Sequence, residues 1–251
     1  MSTVSGRLTR TVGPTWAALL AVFALLLATF VVQVALQVGV SVAFAGGAPP
    51  QLTAPPAILA VLVVGQLTLL GVGAWYATRR LGGLQVRVPA GTEWGWLASA
   101  LLVKYALFGL SRLATSWLGV QDPADLLTQA ATAAPWLLPV VAVLSIVLIG
   151  PAEETFYRGA VQGRLRLAFG PVAAVLLAGA LFALPHFLNY VLGGANPFAP
   201  GALIAVGAVF ATGSVMGYAY ERTGNLAVPI LLHGIYNASL YLAVYGGLLH
   251  L

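Results

Sequence analysis

Three short polar motifs lie inside long apolar runs of this sequence, and they contain the residues that could do chemistry. In the first motif Glu154 and Arg158 are four residues apart, which predicts an ion pair along one face of a helix. Glu153 is rotated by about 100° from Glu154 on a helix, so it needs a different partner. Glu153 is therefore the candidate general base or metal ligand. The alternative is that both acids and Arg158 only anchor the helix at an interface with water.

Two histidine motifs supply the other candidates. His186 directly follows Pro185 and lies four residues after Phe182, and the proline is expected to kink the helix and free a backbone carbonyl beside the imidazole. His233 and Asn237 are also four residues apart, which places them on one helix face. Either histidine could instead be a hydrogen-bonding contact between packed helices.

One acid and two histidines on separate segments fit two versions of hydrolytic chemistry. Glu153, His186 and His233 match the ligand set of a catalytic zinc or other divalent-metal site, whose fourth position holds water. Without a metal, Glu153 would take a proton from water that a histidine helps to hold, and the amide of Asn237 would donate to the oxyanion. Both versions predict cleavage of an amide bond in or beside a membrane. With zero cysteines, thiolate ligands and a cysteine nucleophile are excluded.

The segments that carry these motifs are typical of an integral membrane protein. Of the 251 residues 60% are hydrophobic and only 7% are charged, and the mean hydropathy is +0.96. Soluble domains carry about 25% charged residues, so this composition excludes a water-soluble globule, and its hydrophobicity excludes a disordered chain. The charges are also too sparse for a nucleic-acid surface, and we expect no nucleic-acid partner.

Apolar runs long enough to cross a bilayer recur along the whole chain. They lie near residues 16–44, 56–77, 95–118, 136–158, 171–191, 201–220 and 226–247. We therefore predict an all-α, polytopic membrane bundle of about seven transmembrane helices, with eight as the alternative count. The chain is predicted to form one membrane domain over residues 1–251, with the motif-bearing helices in 136–247. For Glu153 and His186 to reach one depth, the fourth helix must run on past Arg158, or the fifth must start deeper.

The distribution of charge predicts the orientation of the bundle. If the N-terminus is cytoplasmic, the arginines near the helix ends fall on the cytoplasmic side, as the positive-inside rule requires. They are Arg7, Arg10, Arg79, Arg80, Arg87, Arg164, Arg166 and Arg222. Asp122 and Asp125 then lie on the other side. We expect a multi-pass protein of the cytoplasmic membrane, with membrane lipid as a partner.

Two further cations, Lys104 and Arg112, lie within the third apolar run. They are eight residues apart and so share a helix face. We expect them to extend to the interface or to pair with acids of the bundle. The alternative is that they line a substrate groove and bind a peptide carboxylate.

In order and spacing, the three motifs resemble those of the CAAX protease and bacteriocin-processing (CPBP) family, which includes the type II CAAX prenyl endopeptidases. The matching residues are Glu153, Glu154 and Arg158, then Phe182 and His186, then His233 and Asn237. The resemblance implies an intramembrane peptidase in which Glu153 activates water. The two histidines and Asn237 would position that water or stabilise the oxyanion, and the remaining motif residues would support them. Members are often labelled metalloproteases, although a metal-free glutamate mechanism is also held for some.

We therefore expect an intramembrane endopeptidase that acts on a peptide or protein substrate, either prenylated or otherwise membrane-anchored. Two alternatives use the same polar cluster. The first is a non-catalytic membrane scaffold or immunity protein, and the second is a small proton-coupled transporter, since intramembrane Glu and His also form proton relays. The complete set of polar groups favours the enzyme.

Overall fold

A computed structural model describes residues 15–45, 55–123 and 126–248 of the chain. Within these residues the secondary structure consists of eight helices and no strand. They are α1 (Thr15–Ala45), α2 (Pro55–Arg80), α3 (Thr92–Trp117), α4 (Leu126–Ala133), α5 (Leu137–Leu165), α6 (Pro171–Leu192), α7 (Pro200–Thr223) and α8 (Ala227–Leu248). All except the short α4 are long and apolar enough to cross a membrane, which confirms the predicted helical bundle and its seven spans. Arg7, Arg10 and Asp125 lie outside the described residues.

Proline and glycine residues account for several helix boundaries. Helices α2, α6 and α7 each begin at a proline, whose fixed φ suits the first helical position and whose missing N–H is not needed there. Helix α7 ends at Thr223, and the next residue, Gly224, adopts a left-handed φ of +62°. These signals make the ends of the spans abrupt and leave short connections at one end of the bundle.

Helix α5 is central and irregular. Two π-helical segments, Ser145–Ile149 and Thr155–Gln162, flank a short α-helical stretch, Gly150–Glu154. Such π segments change the direction in which successive side chains point, and they occur frequently at functional sites. The acidic pair Glu153 and Glu154 lies at the end of the stretch between them, so its setting differs from that on a regular helix.

Glycines allow the backbones of α2 and α8 to approach α5 closely. A Cβ atom on Gly73 of α2 would lie 2.8 Å from the Cα of Phe156, and one on Gly150 would lie 2.9 Å from the carbonyl oxygen of Ile230 in α8. A Cβ on Gly234 would lie 2.9 Å from the Cα of Ile146. Small residues of this kind are the usual contact points of membrane helices.

The connections at one end of the bundle are tied together by polar contacts. This end, which we call the basic end, is where α2, α5 and α7 finish, and it carries Arg79, Arg80, Arg164, Arg166 and Arg222. The side chain of Asn225 donates to the carbonyl oxygen of Arg87 at 3.0 Å. The backbone N–H of Leu226 donates to the carbonyl oxygen of Gln85 at 2.8 Å. Glu93 forms an ion pair with Arg87. The α2–α3 and α7–α8 connections are therefore held to each other.

Candidate active site

A buried ion pair forms the base of the site. Glu154 and Arg158 are both fully buried, and the Oε1 atom of Glu154 accepts a hydrogen bond of 3.1 Å from Nη1 of Arg158. The other guanidinium nitrogen, Nη2, donates to the carbonyl oxygen of Gly213 on α7 at 2.7 Å. The ion pair expected from the four-residue spacing is thus present. A buried pair needs such additional hydrogen bonds to offset the loss of hydration.

His233 on α8 lies between the two acids of α5. Its Nδ1 atom is 2.7 Å from Oε1 of Glu154, and its Nε2 atom is 3.9 Å from Oε2 of Glu153. Glu154 is paired with Arg158 and is therefore an ionised acceptor, so Nδ1 must carry the proton of this hydrogen bond. In the neutral imidazole Nε2 is then an acceptor, and it faces Glu153.

Glu153 has a second partner in α2. Its Oε1 atom accepts a hydrogen bond of 2.8 Å from Nε2 of Gln66, which leaves Oε2 directed toward His233. The side chain of Glu153 is 13% exposed, whereas that of Glu154 is completely buried. The separation of 3.9 Å between Oε2 and the imidazole is too long for a direct hydrogen bond and suits a water that contacts both.

Phe182 connects the motif of α6 to this cluster. Its ring lies 4.7 Å from the guanidinium carbon of Arg158, and its centroid is 5.8 Å from the ring of His233 and 4.8 Å from that of His186. The half-buried His186 directs Nδ1 to the carbonyl oxygen of Phe182 at 2.9 Å, so its Nε2 is the nitrogen that remains available. Helix α6 continues through Pro185 to Leu192.

Asn237 lies one turn after His233 on α8 and is half-buried. It forms no hydrogen bond with another described residue, so its amide remains available. The structure therefore brings Glu153, Glu154, Arg158, Phe182, His186 and His233 into one contiguous set of contacts, and Asn237 lies beside His233 on the same helix. Helix α5 runs on to Leu165, which meets the requirement that it extend past Arg158.

The tentative metal ligands do not form a ligand cluster. Among the described residues, no three His, Asp or Glu side chains are grouped so that they could hold a metal ion. The shortest polar contact of His233 is with Glu154 rather than with Glu153, and Nδ1 of His186 is taken by a backbone carbonyl. In this arrangement Glu153, His186 and His233 do not fit a zinc site.

Sequence reasoning missed Gln66. A signal was available, because Gln66 is an uncharged but strongly polar side chain in the middle of the apolar α2. The candidates that the sequence predicts are mostly ionisable residues, although an amide in hydrocarbon needs a partner for the same reason. Gln66 and Glu153 are 87 positions apart in the chain, and the sequence does not indicate that their side chains meet.

Lys104 and Arg112 have different environments. Arg112 is exposed and pairs with Asp122, as expected of a cation near the end of a span. Lys104 is buried, with its Nζ atom 3.3 Å from Sδ of Met216 and 4.1 Å from the ring centroid of Tyr236. The expectation that Lys104 extends to the interface or pairs with an acid is wrong within the described residues. Its ammonium group lies over the ring of Tyr236 instead, which is a cation–π contact.

Comparison with known proteins places the three motifs in one family. Residues 134–239 match the model of the family described as type II CAAX prenyl endopeptidase Rce1-like. The match confirms the resemblance to the CAAX protease family. It covers less than half of the chain, from just before α5 to the middle of α8, and includes all seven motif residues. It supports a CAAX-type intramembrane protease role in general. No curated protein and no solved structure matches the chain.

Proposed function

We propose that this protein is an intramembrane endopeptidase in which Glu153 activates a water molecule for attack on a peptide carbonyl. The observation that carries the proposal is the position of the His233 ring between two carboxylates, with Nδ1 held by Glu154 and Nε2 facing Glu153 across 3.9 Å. A water in that gap would donate one hydrogen to Oε2 of Glu153 and the other to Nε2 of His233. Its lone pairs would then be free to face the substrate.

The proton transfers follow from this arrangement. Glu153 takes a proton as the water oxygen attacks the carbonyl carbon, and the carbonyl oxygen becomes an oxyanion. The amide N–H of Asn237, one turn from His233, is the candidate donor to that oxyanion. When the C–N bond breaks, the proton held on Glu153 passes to the leaving nitrogen, and the carboxylate is restored. His186, through its available Nε2, is a second candidate for holding the water or the peptide.

The supporting residues fix the positions of these groups. Arg158 neutralises Glu154 and ties it to α7 through the carbonyl of Gly213, so Glu154 remains an acceptor for the proton on Nδ1 of His233. Gln66 occupies one oxygen of Glu153 and leaves the other for water. Among the described residues Glu153 forms no ion pair with a lysine or an arginine, so its carboxylate is the one available as a general base.

The proposed substrate is a peptide or protein that reaches the site from the membrane, either prenylated or held by another anchor. We propose the cytoplasmic membrane as the location, with the N-terminus and the basic end on the cytoplasmic side. A metal-free mechanism is proposed because the candidate ligands do not group. Stoichiometric bound metal in the purified protein, together with loss of cleavage in chelator, would contradict that part of the proposal.

The direct test is Glu153→Gln, which keeps the size of the side chain and removes its basicity. We expect cleavage of a membrane-anchored reporter peptide in detergent to fall by about 100-fold or more, because general-base catalysis contributes at least this much. The thermal unfolding temperature is expected to change little. Glu221→Gln, which alters a glutamate at the basic end, is the matched control and should retain cleavage. Wild-type turnover by the Glu153 variant would overturn the assignment and favour a non-catalytic role.

A further inference from the structure

An apolar groove with a cation at its mouth lies on the outer face of the bundle, away from the acidic pair. The groove has a volume of about 610 Å³ and is formed by α3, α6 and α7. Its lining is almost entirely apolar, with walls that include Val103 of α3, Leu176 of α6 and Val215 of α7. We call it the Arg222 groove, after the residue at its mouth.

The mouth is built from two aromatic rings and one arginine. Trp96 and Tyr218 both line the groove, and their rings meet edge to face at 5.8 Å. The guanidinium carbon of Arg222 lies 5.0 Å from the centroid of Trp96 and 5.9 Å from that of Tyr218. Stacking on aromatic rings fixes the guanidinium plane and leaves its N–H groups free to bind an anion.

The charge of Arg222 is not neutralised by a carboxylate of the described residues. The adjacent acid, Glu221, is engaged by Arg166, whose Nε atom lies 3.0 Å from Oε1 of Glu221. Arg222 itself is exposed, and no described carboxylate lies within ion-pair distance of it. The mouth of the groove therefore presents one fixed positive charge whose natural complement is a negatively charged group.

The positive-inside rule places the basic end at the membrane surface, so we expect the groove to begin at the level of the lipid headgroups. Trp96 is near the start of α3, Val172 is near the start of α6, and Tyr218 is near the end of α7, and all three helix ends belong to the basic end. From Trp96 to Val103 the helix rises by about 10 Å, which is a large part of one hydrocarbon leaflet. An acyl chain that enters beside Arg222 would thus run along the groove into the bilayer.

We propose that the Arg222 groove binds an anionic phospholipid, with an acyl chain along the apolar walls and the negatively charged headgroup at Arg222. Basic pockets between membrane helices are suited to such headgroups, whereas a zwitterionic lipid gains less from the single cation. The inference does not depend on the proposed peptidase activity, because none of the groove residues belongs to the three motifs.

The groove shares one wall with the site. Ser214 and Val215 line the groove, while the adjacent Gly213 accepts the hydrogen bond of Arg158 and the adjacent Met216 contacts Lys104. A lipid in the groove would therefore pack against the same turn of α7 that holds Arg158 from the other side. Bound lipid is expected to raise the thermal unfolding temperature of the protein, since it binds the folded state.

The test is lipid retention by the full chain, measured by native mass spectrometry after exchange into detergent with phosphatidylglycerol or phosphatidylcholine. For the wild type we expect a preference of about fivefold for phosphatidylglycerol, which corresponds to one arginine near the membrane surface. Arg222→Gln should abolish the preference, so that the two lipids are retained about equally. The matched control is Arg80→Gln, an exposed arginine of the basic end that, unlike Arg222, does not stack on Trp96 or Tyr218, and it should retain the preference.

A second variant tests the groove rather than the charge. Leu176→Trp fills the space between α6 and α3, and it should lower the retention of both lipids while leaving their ratio unchanged. Equal retention of the two lipids by the wild type, an unchanged preference in Arg222→Gln, or unchanged retention in Leu176→Trp would each overturn the proposal. The readout is binding alone, so loss of peptidase activity in Glu153→Gln has no bearing on it.

Discussion

His233 is the residue on which the proposed chemistry depends, because each of its ring nitrogens faces a different glutamate. Nδ1 is bound to Glu154 at 2.7 Å, which fixes both the plane of the ring and the position of its proton. Nε2 is thereby made an acceptor on the side of Glu153. Two neighbouring acids of the same chemical type thus take different parts, one as an anchor and one as the proposed base.

Gln66 gives the sharpest test of how Glu153 is positioned. Gln66→Ala removes the donor to Oε1 and frees the carboxylate to rotate away from His233. We expect kcat to fall by about tenfold to a hundredfold, the equivalent of one hydrogen bond to a charged group, while KM stays close to the wild-type value.

The matched control for this prediction is Gln33→Ala. Gln33 is a glutamine of the neighbouring α1 that donates to the carbonyl oxygen of Gly65 at 3.2 Å and forms no hydrogen bond with Glu153. It should leave kcat unchanged. If Gln66→Ala raised KM alone, or if both variants lowered kcat equally, Gln66 would not act through Glu153.

At the scale of the helices, the site depends on how closely α8 approaches α5. Gly150→Ala would place a Cβ 2.9 Å from the carbonyl oxygen of Ile230, where backbone atoms cannot move aside easily. We expect a loss of stability of about 1–3 kcal/mol from overpacking, seen as a lower thermal unfolding temperature in detergent. Gly109→Ala in α3, where a Cβ would meet no atom within 4 Å, should be neutral or stabilising. Equal effects of the two substitutions would contradict the close-approach explanation.

The helices themselves could be predicted from the sequence, but the irregularity of α5 could not. Each span is a long apolar run, and the thickness of a bilayer converts such a run directly into a helix. The π-helical segments Ser145–Ile149 and Thr155–Gln162 pack mainly against α8 and α2 respectively, and no local pattern in the sequence indicated them. The pairing of Glu154 with Arg158 is local and was predictable. The pairing of Glu154 with His233 spans 79 residues and was not.

The same distinction applies to the polar groups inside the membrane. Their residue types identify the candidates, because each needs a partner in hydrocarbon, but types do not identify the partners. Lys104 contacts a methionine sulfur and a tyrosine ring, where an acid was expected. The family match tests the recognition of the motifs but not the role of each residue, and those roles stay predictions, as does the extent of the single membrane domain.

At the scale of the whole molecule, orientation in the membrane can be tested directly. The chain contains zero cysteines, so single cysteines can be introduced without removing native ones. Val86 lies at the basic end and Phe198 in the α6–α7 connection at the opposite end, and they are 58% and 83% exposed.

In intact cells, an impermeant thiol reagent should label Phe198→Cys and not Val86→Cys, because the positive-inside rule places the basic end in the cytoplasm. After the cells are opened, both variants should be labelled. Labelling of Val86→Cys alone in intact cells would reverse the proposed topology.

The tie between the two connections at the basic end has a consequence for the integrity of the chain. Asn225 and Leu226 form hydrogen bonds with the segment from Gln85 to Arg87. The part of the chain that contains α1, α2 and this segment is therefore held to the remainder by more than the peptide backbone. A single protease cut near Ala90, which leaves Gln85 and Arg87 on the piece that contains α1 and α2, would therefore leave two pieces that purify together. The protein could also be made as two separately expressed halves that assemble in the bilayer.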